Sequence, residues 1–339
     1  MIRFVSAVLA AAACLHVAGC SGELPEDEFR HNSPRPSCEY TVGPGREAYY
    51  PEPVLVATEE WDEPVLVAPP LTDDCPNDAV EISRDGQTIY FFWSPTVGGT
   101  NEELLHIHTG TYRAERTGTD PGAFSGPRYF DLQKGTAGSV DAKPSFTPDG
   151  SFVYFHSTRA ANTGFQADPW VDDYLDIYRA PVIRGEPGIA ANLGPPVNTV
   201  YLDGEHTLSP DGNRLYLTST RPGGLGGPDI WVSERSGAGW TDPENLGAPV
   251  NSADSDGQPG FAADDPDTMY FVSNRDGRSS IYRSTWESDL SSWSAPEMIL
   301  TGYVGEPALV ADGSVMYFVH VLIDDEDVFG SNIWYVTRR

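Results

Sequence analysis

The stretch Thr207–Arg235, TLSPDGNRLYLTSTRPGGLGGPDIWVSER, decides the fold. Ser209-Pro-Asp-Gly212 reads as a tight turn, because proline presets φ and glycine accepts positive φ. From Arg214 to Ser219 polar and apolar residues alternate at the period of a half-buried strand. Pro222–Pro228 is a glycine-rich connection, and Asp229-Ile-Trp-Val-Ser-Glu-Arg is the next strand. Taken alone, the stretch is a β-hairpin.

The chain writes this hairpin five times. Other copies contain Ile82-Ser-Arg-Asp-Gly with Ile89-Tyr-Phe-Phe, and Phe146-Thr-Pro-Asp-Gly with Val153-Tyr-Phe-His-Ser-Thr-Arg. Two more contain Met269-Tyr-Phe-Val-Ser-Asn-Arg, and Val310-Ala-Asp-Gly with Val315-Met-Tyr-Phe-Val. Their second-strand tyrosines are Tyr90, Tyr154, Tyr216, Tyr270 and Tyr317, at intervals of 47 to 64 residues. Such self-similarity in strands and turns marks a radial repeat, since one small sheet cannot bury its own faces.

The two ends of the chain set the closure. Trp61-Asp-Glu-Pro-Val-Leu-Val matches Trp240-Thr-Asp-Pro-Glu-Asn-Leu and Trp293-Ser-Ala-Pro-Glu-Met-Ile-Leu, which follow third strands and so form outermost fourth strands. The C-terminal Asn332-Ile-Trp-Tyr-Val-Thr-Arg is a third strand with no fourth after it. Residues 63–68 are expected to complete that last unit, hiding two sheet edges. The expected fold is all-β: a five-bladed β-propeller with four antiparallel strands per blade, closed by the N-terminal strand. The expected propeller spans 51–339, with blades near 75–135, 141–195, 203–250, 256–300 and 305–339.

Ser-Pro-Asp-Gly, a Tyr-Phe strand, Ser-x-Arg and Asp-Ile-Tyr/Trp together resemble the WD40-like β-propeller repeat of the TolB type, over about residues 60–339. That resemblance implies an envelope protein as partner. It departs from TolB in leaving no room for an N-terminal α/β domain. Propellers host many functions, so the motifs specify the fold better than the task.

Residues 1–19 read as an export signal, with Arg3 as the positive start and Val5–Leu15 as a short apolar core. Val17-Ala-Gly-Cys20 resembles the bacterial lipoprotein cleavage box, which implies lipidation of Cys20. An ordinary secretory signal cut near Ala18 is the alternative. A lipidated cysteine would hold the protein at a membrane without spanning it. Ser21, in place of an aspartate, leans towards the outer membrane. Residues 20–50 are polar, Pro-rich and aperiodic, the pattern of a flexible tether. Cys38 and Cys75 remain for an oxidising compartment, where a disulfide is the expectation. Free thiols or a two-cysteine metal site are the alternatives.

The formal net charge is −29, which argues against nucleic acid and anionic lipid as direct ligands. Cations, basic protein patches or plain solubility remain. Counting back from the Asp-Gly turns, equivalent positions are Asn77, Asp141, Asp203, Asp256 and Val304. Two residues on come Ala79, Lys143, Glu205, Gln258 and Glu306, with His206 beside Glu205. Inner strands line a propeller's channel, so these residues would ring one mouth. There they could hold calcium, receive a basic side chain, or simply bond local backbone. Asp172, Asp173, Asp324, Asp325 and Asp327 are weak calcium candidates, since none matches the twelve-residue calcium-loop spacing.

Ser157/Arg159, Ser219/Arg221 and Ser273/Arg275 recur, and an Asp opens the following strand in two blades (Asp176, Asp229). An Arg–Asp clamp between those groups is the expectation. Enzyme signals are thin: there is no Gly-x-Ser-x-Gly elbow and no His-Glu-x-x-His. Asp141, Asp203 and Asp256 could be cast as the carboxylates of a five-bladed glycoside hydrolase, but that chemistry needs them in unlike environments. The reading is a non-enzymatic binding or scaffolding propeller without a cofactor, with a glycan or calcium binder as alternative.

Overall fold

The computed structural model describes residues 53–72, 75–94, 110–136, 139–164, 175–324 and 327–339. Five antiparallel sheets stand around one axis, with no helix among the described residues. The protein is a five-bladed β-propeller. The inner strands are Asn77–Ile82, Asp141–Phe146, Asp203–Leu208, Asp256–Ala262 and Val304–Leu309. Each is followed by a second strand that carries the repeat's tyrosine and by a third strand, and in blades one to four a short outer strand comes next. The Asp-Gly turns close the first hairpins as their composition dictates. Gly86, Gly150, Gly212 and Gly313 adopt φ of 68 to 71°, a region that a side chain would resist.

The ring closes as expected. Val65–Leu66 pairs with the last strand through Val65↔Tyr335 and Leu66↔Trp334, giving blade five its outer strand. Trp61 bridges Arg338 just as Trp240 pairs with Arg235 and Trp293 with Trp286. One contact goes beyond the sequence reading. Leu55–Val56 pairs with Glu297–Thr301, so the N-terminal segment also covers the edge of blade four.

The apolar core is divided among the blade interfaces. Tyr90, Phe130 and Leu132 of blade one pack on Val153, Phe155 and Tyr178 of blade two. Tyr154 and Ile177 meet Leu215, Leu217 and Trp231 of blade three, and Tyr216 and Ile230 meet Met269 and Phe271 of blade four. Tyr270 and Ile281 meet Met316 and Phe318, and Tyr317 and Ile333 meet Val80 and Phe91. Each alternating strand thus feeds both neighbouring interfaces. Every fully buried side chain of this size contributes about 1.5–3 kcal/mol, so no blade is stable by itself.

The leader, the tether, Cys20 and Cys38 lie outside the described residues, as do Asp172, Asp173, Asp325 and the side chains of Asp324 and Asp327. Cys75 is buried where the chain enters blade one.

Candidate functional site

Each inner strand carries a β-bulge at the same place. The pairing register slips between Asp78 and Glu81, Ala142 and Ser145, Gly204 and Thr207, Gly257 and Gly260, and Gly305 and Ala308. Inside each slip sits one residue in the left-handed region: Ala79 (φ 51°), Lys143 (56°), Glu205 (42°), Gln258 (52°) and Glu306 (59°). Non-glycine residues pay for that conformation with about 1–3 kcal/mol each, and here the surrounding ladder holds all five in it.

Three of these five side chains meet, while Ala79 packs in an apolar cluster with Phe92, Val140 and Leu202. Gln258 Nε2 approaches Glu306 Oε1 at 3.5 Å, and the Glu306 backbone N–H donates to Gln258 Oε1 at 3.1 Å. Lys143 Nζ lies 3.7 Å from Glu306 Oε2 and donates to the Val80 carbonyl at 2.9 Å. Lys143 is fully buried and holds its Nζ inside the channel beside Glu306. Above it, Glu205, Gln258 and Glu306 border a cavity of about 80 Å³, together with Asp78, Asn274 and Val321. That volume admits several waters or the tip of one side chain.

His206 does not reach this cavity. It is fully buried against His156, ring centroids 6.4 Å apart, in the wall between blades two and three. His156 Nδ1 accepts the Glu205 backbone N–H at 3.2 Å. Burial pulls His206 down to about 3, with the nearby Lys143 charge adding to the effect and the Tyr154 backbone opposing it. Burial, then His206, then Lys143 hold His156 well below its ordinary range. Both imidazoles are neutral at physiological pH.

The first set of positions has a different role. Asp141 pairs with Arg159 (2.8 Å), Asp203 with Arg221 (2.5 Å) and Asp256 with Arg275 (2.7 Å). Local hydroxyls complete each carboxylate: Ser139 on Asp141, Ser219 and Thr199 on Asp203, Ser252 on Asp256. The guanidinium groups lie over aromatic rings of their own blades, Arg159 over Tyr178 (4.9 Å) and Arg275 over Tyr282 (5.0 Å). Burial raises the Asp141 carboxyl, an effect that Arg159 and Ser139 oppose.

The Ser-x-Arg arginines therefore clamp the inner strand, and the expected partners Asp176 and Asp229 are not theirs. Asp176 Oδ2 accepts the Thr163 N–H and Asn192, and Asp229 Oδ2 accepts the Leu225 N–H and Asn245. The register explains the difference. Ser157 stands between Asp141 on one side and Asp176 on the other, and Ser219 between Asp203 and Asp229. The arginine two residues on turns inward. Blade four needs no Asp at Ser280, because Asp256 supplies the carboxylate. Blades one and five, which have no such arginine, carry Asn77 and Val304 in place of the aspartate. Asn77 instead donates to the Cys75 carbonyl at 2.7 Å.

No grouping of three or more His, Cys, Asp or Glu side chains suited to a metal ion occurs among the described residues. A second and larger cavity opens at the opposite end of the channel, where the inner strands run into the Asp-Gly turns.

No family model matches the sequence, and no curated protein matches it. Solved propellers are similar in shape. A glycoside hydrolase aligns at 13% identity and TM-score 0.51, over 83% of this chain and 92% of its own. A TolB-type protein of Agrobacterium tumefaciens aligns at 18% identity and TM-score 0.44, over 78% and 75%. An α-L-arabinofuranosidase of Lactobacillus brevis aligns at 14% identity and TM-score 0.45, over 81% and 94%. The likeness is one of fold.

Proposed function

We propose that this chain is a non-enzymatic binding propeller of the bacterial cell envelope, lipid-anchored through Cys20 and facing a partner protein with its channel mouth. The observation that carries the reading is the state of Asp141, Asp203 and Asp256. Each is consumed by an arginine of its own blade in one repeated arrangement. A glycosidase needs carboxylates that reach the substrate and differ in environment. Three copies of one buried clamp supply neither condition.

What remains at the mouth is chemistry for recognition. Glu205 and Glu306 border the small cavity, and exposed Val200, Tyr201 and Leu225 sit on loops at the same end of the inner strands. A basic side chain flanked by apolar residues complements that surface, and the net charge of −29 favours such a partner. Lys143 already holds its Nζ inside the channel beside Glu306, which weighs against a resident calcium ion there.

The test is crosslinking in the native cells followed by mass spectrometry, beside a Glu205→Gln/Glu306→Gln variant that leaves the clamps intact. A partner captured by the native protein and lost from the folded variant supports the reading. No specific partner, together with sugar release or glycan binding, overturns it. Cys20→Ser should move the protein from membranes to the soluble fraction.

A further inference from the structure

The cavity at the Asp-Gly end of the channel measures about 730 Å³, the size of a small-molecule site. Inner strands of all five blades contribute to it, through Glu81, Ser145, Thr207, Phe261 and Leu309. The residues that face the second-strand tyrosines in register are Glu81, Ser145, Thr207, Gly260 and Ala308. Four are small, which opens the space. The fifth is a carboxylate.

The other charged groups of this vestibule are already engaged. Asp85 accepts Ser83 Oγ and the Gln87 N–H, and Glu115 accepts Thr88 Oγ1 at 2.9 Å. Arg113 bonds the Gly185 carbonyl and Glu186. Arg84 spans the mouth from blade one, donating to the Pro210 carbonyl at 3.0 Å and the Ala263 carbonyl at 3.4 Å. Glu81 Oε1 accepts only the N–H of its own neighbour Ile82, at 3.0 Å. Burial raises the Glu81 carboxyl more than Lys143, acting through space, lowers it. A carboxylate short of positive charge, set in a cavity walled by Ile82, Phe146, Leu208 and Phe261, is built for a cation on an apolar stem.

We propose that this vestibule is a second binding site, whose ligand carries one primary ammonium group on an apolar chain with Glu81 as its counter-ion. The three donors of an ammonium suit one carboxylate beside the hydroxyls of Ser145 and Thr207 better than a guanidinium fork would. The apolar stem then lies along Phe146 and Phe261 towards the mouth. Arg84 is a like charge at the rim and opposes the ligand. The site lies at the opposite end of the channel from the partner surface proposed above and does not depend on it.

The same ammonium could belong to a free amine or to a lysine of a protein, so two probes are titrated calorimetrically at low salt and about pH 8. They are n-hexylamine, with 1-hexanol as neutral control, and a single-lysine hexapeptide, with its norleucine counterpart. Saturable binding of either charged probe, at least about tenfold weaker in a Glu81→Gln variant, supports the proposal. Which probe binds identifies the source. Glu81→Gln removes a destabilised charge and should melt no lower than the native protein. Arg84→Ala should tighten binding, whereas Glu205→Gln/Glu306→Gln at the far mouth should leave it unchanged. Equal binding of the neutral controls, no effect of Glu81→Gln, weaker binding in Arg84→Ala, or no saturable binding of either charged probe would overturn it.

Discussion

Acidification should test the buried histidine pair directly. His206 titrates at about 3 in the folded protein and near 6.5 when unfolded. Its folded pKa is depressed, so the unfolded chain takes up protons first as the pH falls. The stability tied to a neutral His206 is therefore complete above about pH 6.5 and lost progressively towards pH 3. At pH 5 the unfolded imidazole is almost fully protonated and the folded one almost fully neutral. The difference is about 1.5 pH units, or about 2 kcal/mol. His156 works in the same direction, while the raised carboxyls of Glu81, Asp141 and Asp176 oppose it. The carboxyl contributions are common to the native protein and a His206→Gln variant, so they leave the comparison. Urea denaturation followed by tryptophan fluorescence should show the native protein losing about 2 kcal/mol more than the variant between pH 7 and pH 5. Any relaxation of His156 in the variant adds to that difference. Equal losses in the two proteins would mean that His206 titrates normally in the fold, and the account of the blade two–three wall would be wrong.

Three further outcomes follow from the packing. Arg221→Ala leaves the fully buried Asp203 without its cation and should cost about 3–5 kcal/mol in urea, much of it regained in Asp203→Asn/Arg221→Met. Gly260→Ala would bring a Cβ to 2.2 Å from the Pro307 carbonyl oxygen of the next blade. Because the obstacle is backbone, a loss of about 1–3 kcal/mol is expected in the same assay, whereas alanine at Gly118, where nothing stands within 4 Å, should be silent. Deleting residues 53–66 strips the outer pairing from Glu297–Thr301 and from Asp327–Thr337. The exposed edges should make that variant aggregate on size-exclusion chromatography while the full chain remains a single species.

The fold was legible because every level of the sequence repeats it. Asp-Gly turns, period-two strands and interface aromatics recur together, and the unmatched ends specify closure. The position of the bulges was legible, since counting back from the Asp-Gly turns of four blades, and from Asp264 in blade four, lands on each of them. The chemistry was legible only in part. Asp141, Asp203 and Asp256 face Ser157, Ser219 and Ser273 across the first ladder, while Asp176 and Asp229 face two of the same serines across the next. Repeat spacing cannot say which way the arginine turns. One signal could have: the aspartate and the arginine are present together in blades two, three and four and absent together in blades one and five. The vestibule was hidden for another reason. Its walls come from positions more than 220 residues apart, and Glu81 belongs to no motif. Only alignment of the five inner strands on their tyrosine partners shows a carboxylate standing where its equivalents are small.

The two rings of the channel differ in what the repeat holds constant, and that difference bears on their use. In the first ring, residue identity follows the local clamp: a carboxylate where an arginine needs it, Asn77 or Val304 where none does. Such positions answer to their own blade. In the second ring the backbone is constant and the chemistry is not. Five left-handed bulges are kept despite the steric cost of a Cβ at positive φ, and the residues that bear it are Ala79, Lys143, Glu205, Gln258 and Glu306. A bulge needed only for curvature would be met most cheaply by glycine. None of the five is glycine, and four carry long polar side chains. The strain instead turns polar side chains towards one another, with Lys143 and Gln258 both beside Glu306. On the function proposed above, that asymmetry on a symmetric frame serves recognition of a basic group.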